Sequence, residues 1–180
     1  MKLHFEDNLD YQQAAIDSVV SLFKGQEVSR SEFTVTFRPD SGPNLSLGMD
    51  ENQLGVGNRL LLVDDEIEEN LRHIQLRNGL KPTEKLTSGD FTVEMETGTG
   101  KTYVYLRTIF ELNKNYGFTK FVIVVPSVAI KEGTYKTLQI TQEHFEGLYP
   151  KAKGYEYFLY DSSKLGQVRN FATSSNIQIM

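Results

Sequence analysis

The residues best suited to chemistry lie together in METGTGKTY, positions 95 to 103. Gly98 and Gly100 bound a tight turn, and Lys101 and Thr102 follow it. Glycines let a backbone curl so that its N–H groups point inward. A helix starting there adds its positive N-terminus, a lysine adds a point charge for outer phosphates, and a hydroxyl can ligate Mg²⁺. Lys101 is therefore the candidate catalytic residue, reaching the β- and γ-phosphates of a nucleotide. Thr102 is the candidate Mg²⁺ ligand. Thr97 and Thr99 shape the loop, so Thr97, Gly98, Thr99, Gly100, Lys101 and Thr102 form one cofactor-binding set. The strict pattern G-x-x-x-x-G-K followed by Ser or Thr is not met, because Met95 stands where the first glycine would be.

Such a loop works only between a strand and a helix. FTVEM (91–95) alternates like a strand, and KTYVYLRTIFELNKN (101–115) is a helix apolar on most sides. KFVIVVP (120–126) lacks alternation, as a strand buried on both faces does. Residues 127–149 read as mostly helix with Gly133 a weak point, YEYFLY (155–160) as a strand, the next stretch to 175 as a polar connection, and NIQIM (176–180) as another strand. This alternation predicts an α/β fold with an open, mostly parallel sheet.

Upstream, residues 10–24 predict a helix with a stripe of Tyr11, Ala15, Val19 and Leu22. FTVTF (33–37) predicts a strand, and the Gly- and Pro-rich stretch after it a hairpin excursion. Residues 64–78 predict a helix with Ile67, Leu71 and Ile74 on its apolar stripe, acids in its first turns and arginines in its later ones. The acidic group Asp64, Asp65, Glu66, Glu68 and Glu69 reads as a solvated helix N-terminus rather than a metal site. His4, His73 and His144 lack ligand spacing and read as structural or surface residues. Tyr103, Tyr105, Phe110 and Phe121 read as core.

Composition narrows the classes. The 180 residues are 39% hydrophobic and 24% charged, an ordinary globular mix. There is no cysteine, which excludes disulfides and thiolate zinc sites. No apolar run is long enough for a membrane helix, and the acidic start is not a signal peptide, so a cytoplasmic setting without a membrane partner is expected. The net charge of −5 divides unevenly: residues 1–96 balance at −9 and residues 97–180 at +4. The basic half suits phosphate-bearing partners.

The loop, read as E-T-G-T-G-K-T, resembles motif I of superfamily 2 helicases and translocases. LDYQQAAI (9–16) resembles their Q-motif, which implies that Gln12, or else Gln13, reads the adenine edge, with Phe5 or Tyr11 beside the base. VVPSVAIKEG (124–133) resembles motif Ia, which implies nucleic-acid backbone contacts at Pro126, Ser127, Ala129 and Lys131. Over most of residues 60–180 the chain is more specifically similar to the Res subunit of type III restriction–modification enzymes, in which METGTGKTYVYLRTI is the family's own form of the loop.

That resemblance implies a RecA-like P-loop NTPase lobe using ATP and Mg²⁺. It implies double-stranded DNA and a Mod methyltransferase subunit as partners, and ATP hydrolysis coupled to movement on DNA. Cleavage by a separate C-terminal nuclease then follows communication between distant unmethylated sites. The expected organisation is a Q-motif-like helix region (1–25), an α/β insertion with hairpin and helix (26–89), and an incomplete first motor lobe (90–180). The apolar run at Met180 reads as the interior of a longer chain, and a piece of this length is expected not to turn over ATP alone, since a second carboxylate motif and arginines from a second lobe are required. Two other readings stand beside this one: another superfamily 2 translocase, such as a type I restriction motor or repair helicase, and a non-hydrolysing nucleotide-gated interaction module.

Overall fold

The helix that follows the glycine loop organises everything around it. A computed structural model describes residues 6, 8–37 and 51–180. In chain order its main elements are α1 (Asp10–Leu22), β1 (Arg30–Phe37), β2 (Glu51–Asn58), α2 (Asp64–Arg77), α3 (Lys101–Tyr116), β3 (Lys120–Phe121), α4 (Val128–Ile140), α5 (Gln142–Leu148), β4 (Glu156–Tyr157), α6 (Leu165–Thr173) and β5 (Gln178–Ile179). On α3, the residues Tyr103, Val104, Leu106 to Phe110 and Leu112 are all buried. A helix buried on this many sides must be packed from more than one direction.

One face of α3 makes the main core. Tyr103, Leu106, Ile109 and Phe110 pack with Leu138 of α4, Phe145 of α5, Tyr149, Tyr155, Ile177 and Ile179. The Phe110 ring lies 4.8 Å from Phe145, 5.2 Å from Tyr149 and 4.9 Å from Tyr155. Offset and edge-on rings of this kind add about 0.5–1.5 kcal/mol per pair beyond area burial. Another side of α3 receives α1, whose Ile16 and Leu22 are buried. Tyr116 Oη donates to Val20 O at 2.8 Å, and Phe23 meets Phe118 edge-on at 5.4 Å.

The sheet is small, three-stranded and parallel, in the order β3–β5–β4. With the six α-helices among the described residues it makes an α/β fold, as expected. Beside it, β1 and β2 form the anticipated hairpin, antiparallel and in register from Arg30↔Asn58 to Phe37↔Glu51. Phe33 lies across Gly55: a Cβ on that glycine would stand 2.5 Å from the ring.

Several elements differ from the expectation. Residues 91–95 form no strand, and the 120–126 run pairs only over Lys120–Phe121. Val122 and Val124 are 57% and 88% exposed, so this run is not buried on both faces. Strands require ladder partners, which are nonlocal, whereas alternation is local. The 127–149 helix breaks at Thr141, not at Gly133, giving α4 and α5. The polar connection contains a helix, α6. On α1 the buried residues are Gln12, Ile16 and Leu22, and Tyr11 is half exposed, so the inward face is rotated from the expected stripe. Among the described residues no helix is long and apolar enough to cross a membrane, and no cluster of acidic or histidine side chains could hold a metal ion. Two of the α2 acids have backbone partners: Glu66 Oε2 accepts from Val63 N at 2.9 Å, and Glu68 Oε2 from Leu86 N at 2.6 Å.

Candidate nucleotide-binding site

Gly98 and Gly100 adopt φ of +84° and +81°, in the left-handed region that residues with a Cβ rarely enter. These two glycines make the turn possible. Thr99 Oγ1 donates to Glu96 O at 2.7 Å and closes the loop on itself. Gly100 is the N-cap of α3; its carbonyl accepts the first helical bond, from Val104 N at 3.0 Å. No side chain caps this end, and the first turn holds no acid. The exposed N–H groups and the positive end of a sixteen-residue helix are thus free of an internal anion.

Lys101 folds back over the loop. Its Nζ donates to Met95 O at 2.9 Å and to Glu96 O at 2.8 Å. A cation held by backbone carbonyls at the mouth of an uncapped helix is chemically matched to phosphate oxygens, which are better acceptors than those carbonyls. Thr102 follows in the first turn with its side chain half-buried. The donor set therefore suits a nucleotide phosphate, with a hydroxyl beside it for a divalent ion.

Gln12 reaches this loop from far away in sequence. Its side chain is 6% exposed, and Nε2 donates to Thr99 O at 2.9 Å. The packing of α1 on α3 brings it there. Gln13 instead bonds Asp17 on the exposed side of α1. Phe5 and His4 lie outside the described residues.

Pro126, Ser127, Ala129 and Lys131 open α4. Ser127 is its N-cap, with Oγ accepting from Ile130 N at 3.3 Å. Pro126, Ser127 and Ala129 are exposed, and the Lys131 ammonium stands 3.9 Å from Glu132. Because α3 returns directly into β3 through Gly117–Thr119, the start of α3 and the segment after β3 lie at the same end of the sheet, the carboxyl end of β3. No hydrogen bond joins the two among the described residues.

Other polar contacts around α3 and β3 left no sequence signal. Tyr103, next to Thr102, bonds His144 Nε2 on α5 at 2.9 Å, tying the first turn of α3 to the core. Arg107 Nε donates to Tyr149 Oη at 3.2 Å, and that hydroxyl donates to Glu111 at 2.7 Å. Asn58, at the root of the hairpin, accepts from Thr119 N and Lys120 N at 2.8 and 3.0 Å and donates to Lys120 O at 2.8 Å.

Comparison with known proteins places this loop in a family. The family described as type III restriction enzyme, res subunit, matches residues 7–178. The chain belongs to the type III Res family. It is 36% identical over 152 residues to the Res subunit of the type III restriction-modification enzyme EcoPI of Escherichia phage P1, and 34% identical over 151 residues to that of EcoP15I of Escherichia coli. Those matches cover 82% and 81% of this chain and 14% of each relative. The StyLTI Res subunit of Salmonella typhimurium is 51% identical over 63 residues, 34% of this chain and 6% of the relative. The chain thus corresponds to about 14% of the length of the Res relatives it matches most broadly.

Proposed function

We propose that these residues are the ATP-binding, N-terminal motor lobe of a type III restriction Res subunit. The observation that carries this reading is the loop at Gly98–Thr102: two left-handed glycines, an uncapped helix start without a neighbouring acid, and a lysine bridging the loop's carbonyls. Lys101 would exchange Met95 O and Glu96 O for the outer phosphates of ATP, and the Thr102 hydroxyl would ligate Mg²⁺, which supplies charge neutralisation to the phosphates when bound. Thr97, Gly98, Thr99 and Gly100 would line the phosphates. RecA-like architecture, with residues 26–89 as an insertion before the motor lobe, belongs to the same proposal.

In the intact protein, ATP hydrolysis is then coupled to movement along double-stranded DNA and to double-strand cleavage, with a Mod methyltransferase reading the sequence. The segment Pro126, Ser127, Ala129 and Lys131 contacts the DNA backbone. Family membership and the exposure of that segment support this part.

The test uses intact protein with its methyltransferase partner and DNA. Lys101→Ala is expected to weaken ATP binding by at least tenfold and to abolish DNA-stimulated hydrolysis, since a charge-assisted contact of this kind contributes about 1.5–3 kcal/mol to binding alone. Unchanged ATP binding in Lys101→Ala would remove the phosphate-loop reading. Tight ATP binding with no hydrolysis in the wild-type complex would leave a nucleotide-gated module instead.

A further inference from the structure

The Q-motif resemblance gives Gln12 to the adenine base, but the geometry gives its amide another task. The donor to Thr99 O must be the amide nitrogen, because a carbonyl can only accept. The residue is almost wholly buried, and one of the two N–H donors of its amide is given to the loop's own backbone. It also lies where the loop has no room: a Cβ on Gly100 would stand 2.7 Å from Gln12 Nε2. Gly100 is fixed as glycine by its positive φ, and a side chain there would also displace this amide.

A trans peptide unit points its C=O and its N–H in opposite directions. All the described peptides are trans. Holding Thr99 O against Gln12 therefore turns the Gly100 N–H away from α1. An anchored carbonyl also blocks rotation of the Thr99–Gly100 peptide plane, the motion that would spoil the loop's arrangement of donors.

We propose that Gln12 is a positioning residue for the phosphate loop, holding the Thr99–Gly100 peptide in its anion-receiving orientation, and that it acts on every nucleoside triphosphate alike. This inference rests on the reading of residues 95–102 as a phosphate loop. It separates Gln12 from base recognition: a base reader changes the preference between adenine and guanine nucleotides, whereas a loop anchor changes affinity for the triphosphate whatever is attached to it.

The experiment measures binding of ATP, GTP and inorganic tripolyphosphate, each with Mg²⁺, to intact protein carrying Gln12→Leu, Gln12→Glu or Lys101→Ala. Gln12→Leu removes the donor and orphans a carbonyl. Gln12→Glu keeps the shape and sets a carboxylate against that carbonyl. Both are expected to weaken all three ligands by the same factor, roughly tenfold, leaving the ATP-to-GTP ratio at its wild-type value. Hydrogen exchange at the Gly100 and Lys101 amides is expected to quicken in both variants, which also reports on whether the remainder of α3 is folded.

A loss confined to ATP, with GTP and tripolyphosphate unchanged, would overturn the proposal and return Gln12 to the adenine. Unchanged binding of all three by a folded variant would overturn it as well. If Gln12→Leu does not fold, the ratio measured on Gln12→Glu decides. Lys101→Ala keeps the two questions apart: if it alters none of the affinities, the phosphate-loop reading itself fails, and if it weakens all three while the Gln12 variants do not, only the Gln12 proposal fails.

Discussion

Lys120 shows how one residue's surroundings set a pH dependence. It stands in register with Gln178 and Glu156 across the parallel sheet, donates to Ser174 O, and lies 5.7 Å from the centre of the Phe171 ring. Burial, with repulsion from Arg30 added and attraction to Glu156 partly offsetting both, pulls its ammonium from 10.5 down to about 8. Between about pH 8 and pH 10 the unfolded chain keeps a proton that the folded chain has released, so stability rises with pH in that window. Above it the trend reverses. Burial raises the Tyr149 and Tyr155 hydroxyls, and Glu111 raises Tyr149 further, so both ionise first in the unfolded chain. Lys120→Met is expected to flatten the rise between pH 8 and 10 without changing the fall above it. Urea midpoints at fixed ionic strength would show this; parallel curves for the two proteins would exclude Lys120 as the source. Nothing in the local sequence KFVIVV announced this behaviour, because Arg30 and Glu156 reach Lys120 only through the fold. By contrast, Gly98, Gly100, Lys101 and Thr102 were legible as a unit, since a loop and the helix it opens are made of neighbours.

At the scale of elements, legibility followed the same divide between local and distant partners. Helix α2 was readable because its stripe, its acidic start and its basic end all lie within fourteen residues. The hairpin was readable from FTVTF and the turn-rich stretch, although residues 38–50 lie outside the described structure. Helix α6 was hidden by its Gly166, Asn170 and Thr173, and it buries no residue fully. What fastens the hairpin to the parallel sheet was also invisible: Asn58 stands in for a strand neighbour at Thr119 and Lys120. Gln26 makes a second anchor nearby, accepting from Leu61 N at 2.8 Å and donating to Arg59 O at 3.1 Å. Removing Asn58 leaves backbone groups that water can reach only in part. Asn58→Ala is therefore expected to lower unfolding stability by about 1–2 kcal/mol and to speed exchange of the Thr119 and Lys120 amides. If exchange there is unchanged, the hairpin is held by other contacts, such as Arg169 on Gln53.

For the whole molecule, the β3 edge of the sheet has no strand partner among the described residues. Beyond the Asn58 anchor, the backbone of Val122 and Val124 makes no hydrogen bond among the described residues, and both valines face solvent. Under that edge, Tyr105 and Ile109 of α3 join Phe121 to Val124 around an open cavity of about 320 Å³. Phe91 and Val93, on the far side of α3 in sequence, are exposed as well. An apolar strand edge with unpaired backbone is a template for pairing with another chain. The 180-residue chain is therefore expected to self-associate with rising concentration despite its net charge of −5. Charge far from the edge does little at distances beyond the screening length of about 8 Å at physiological salt. Val124→Lys places a charge on the edge itself and is expected to shift sedimentation toward the monomer, whereas Leu76→Lys, at an exposed position of α2, is expected to leave association unchanged. Equal association of wild type and Val124→Lys would move the sticky surface elsewhere. Suppression by Val124→Lys alone would show that the unsatisfied part of this α/β body lies beside α3, the helix that opens on the glycine loop.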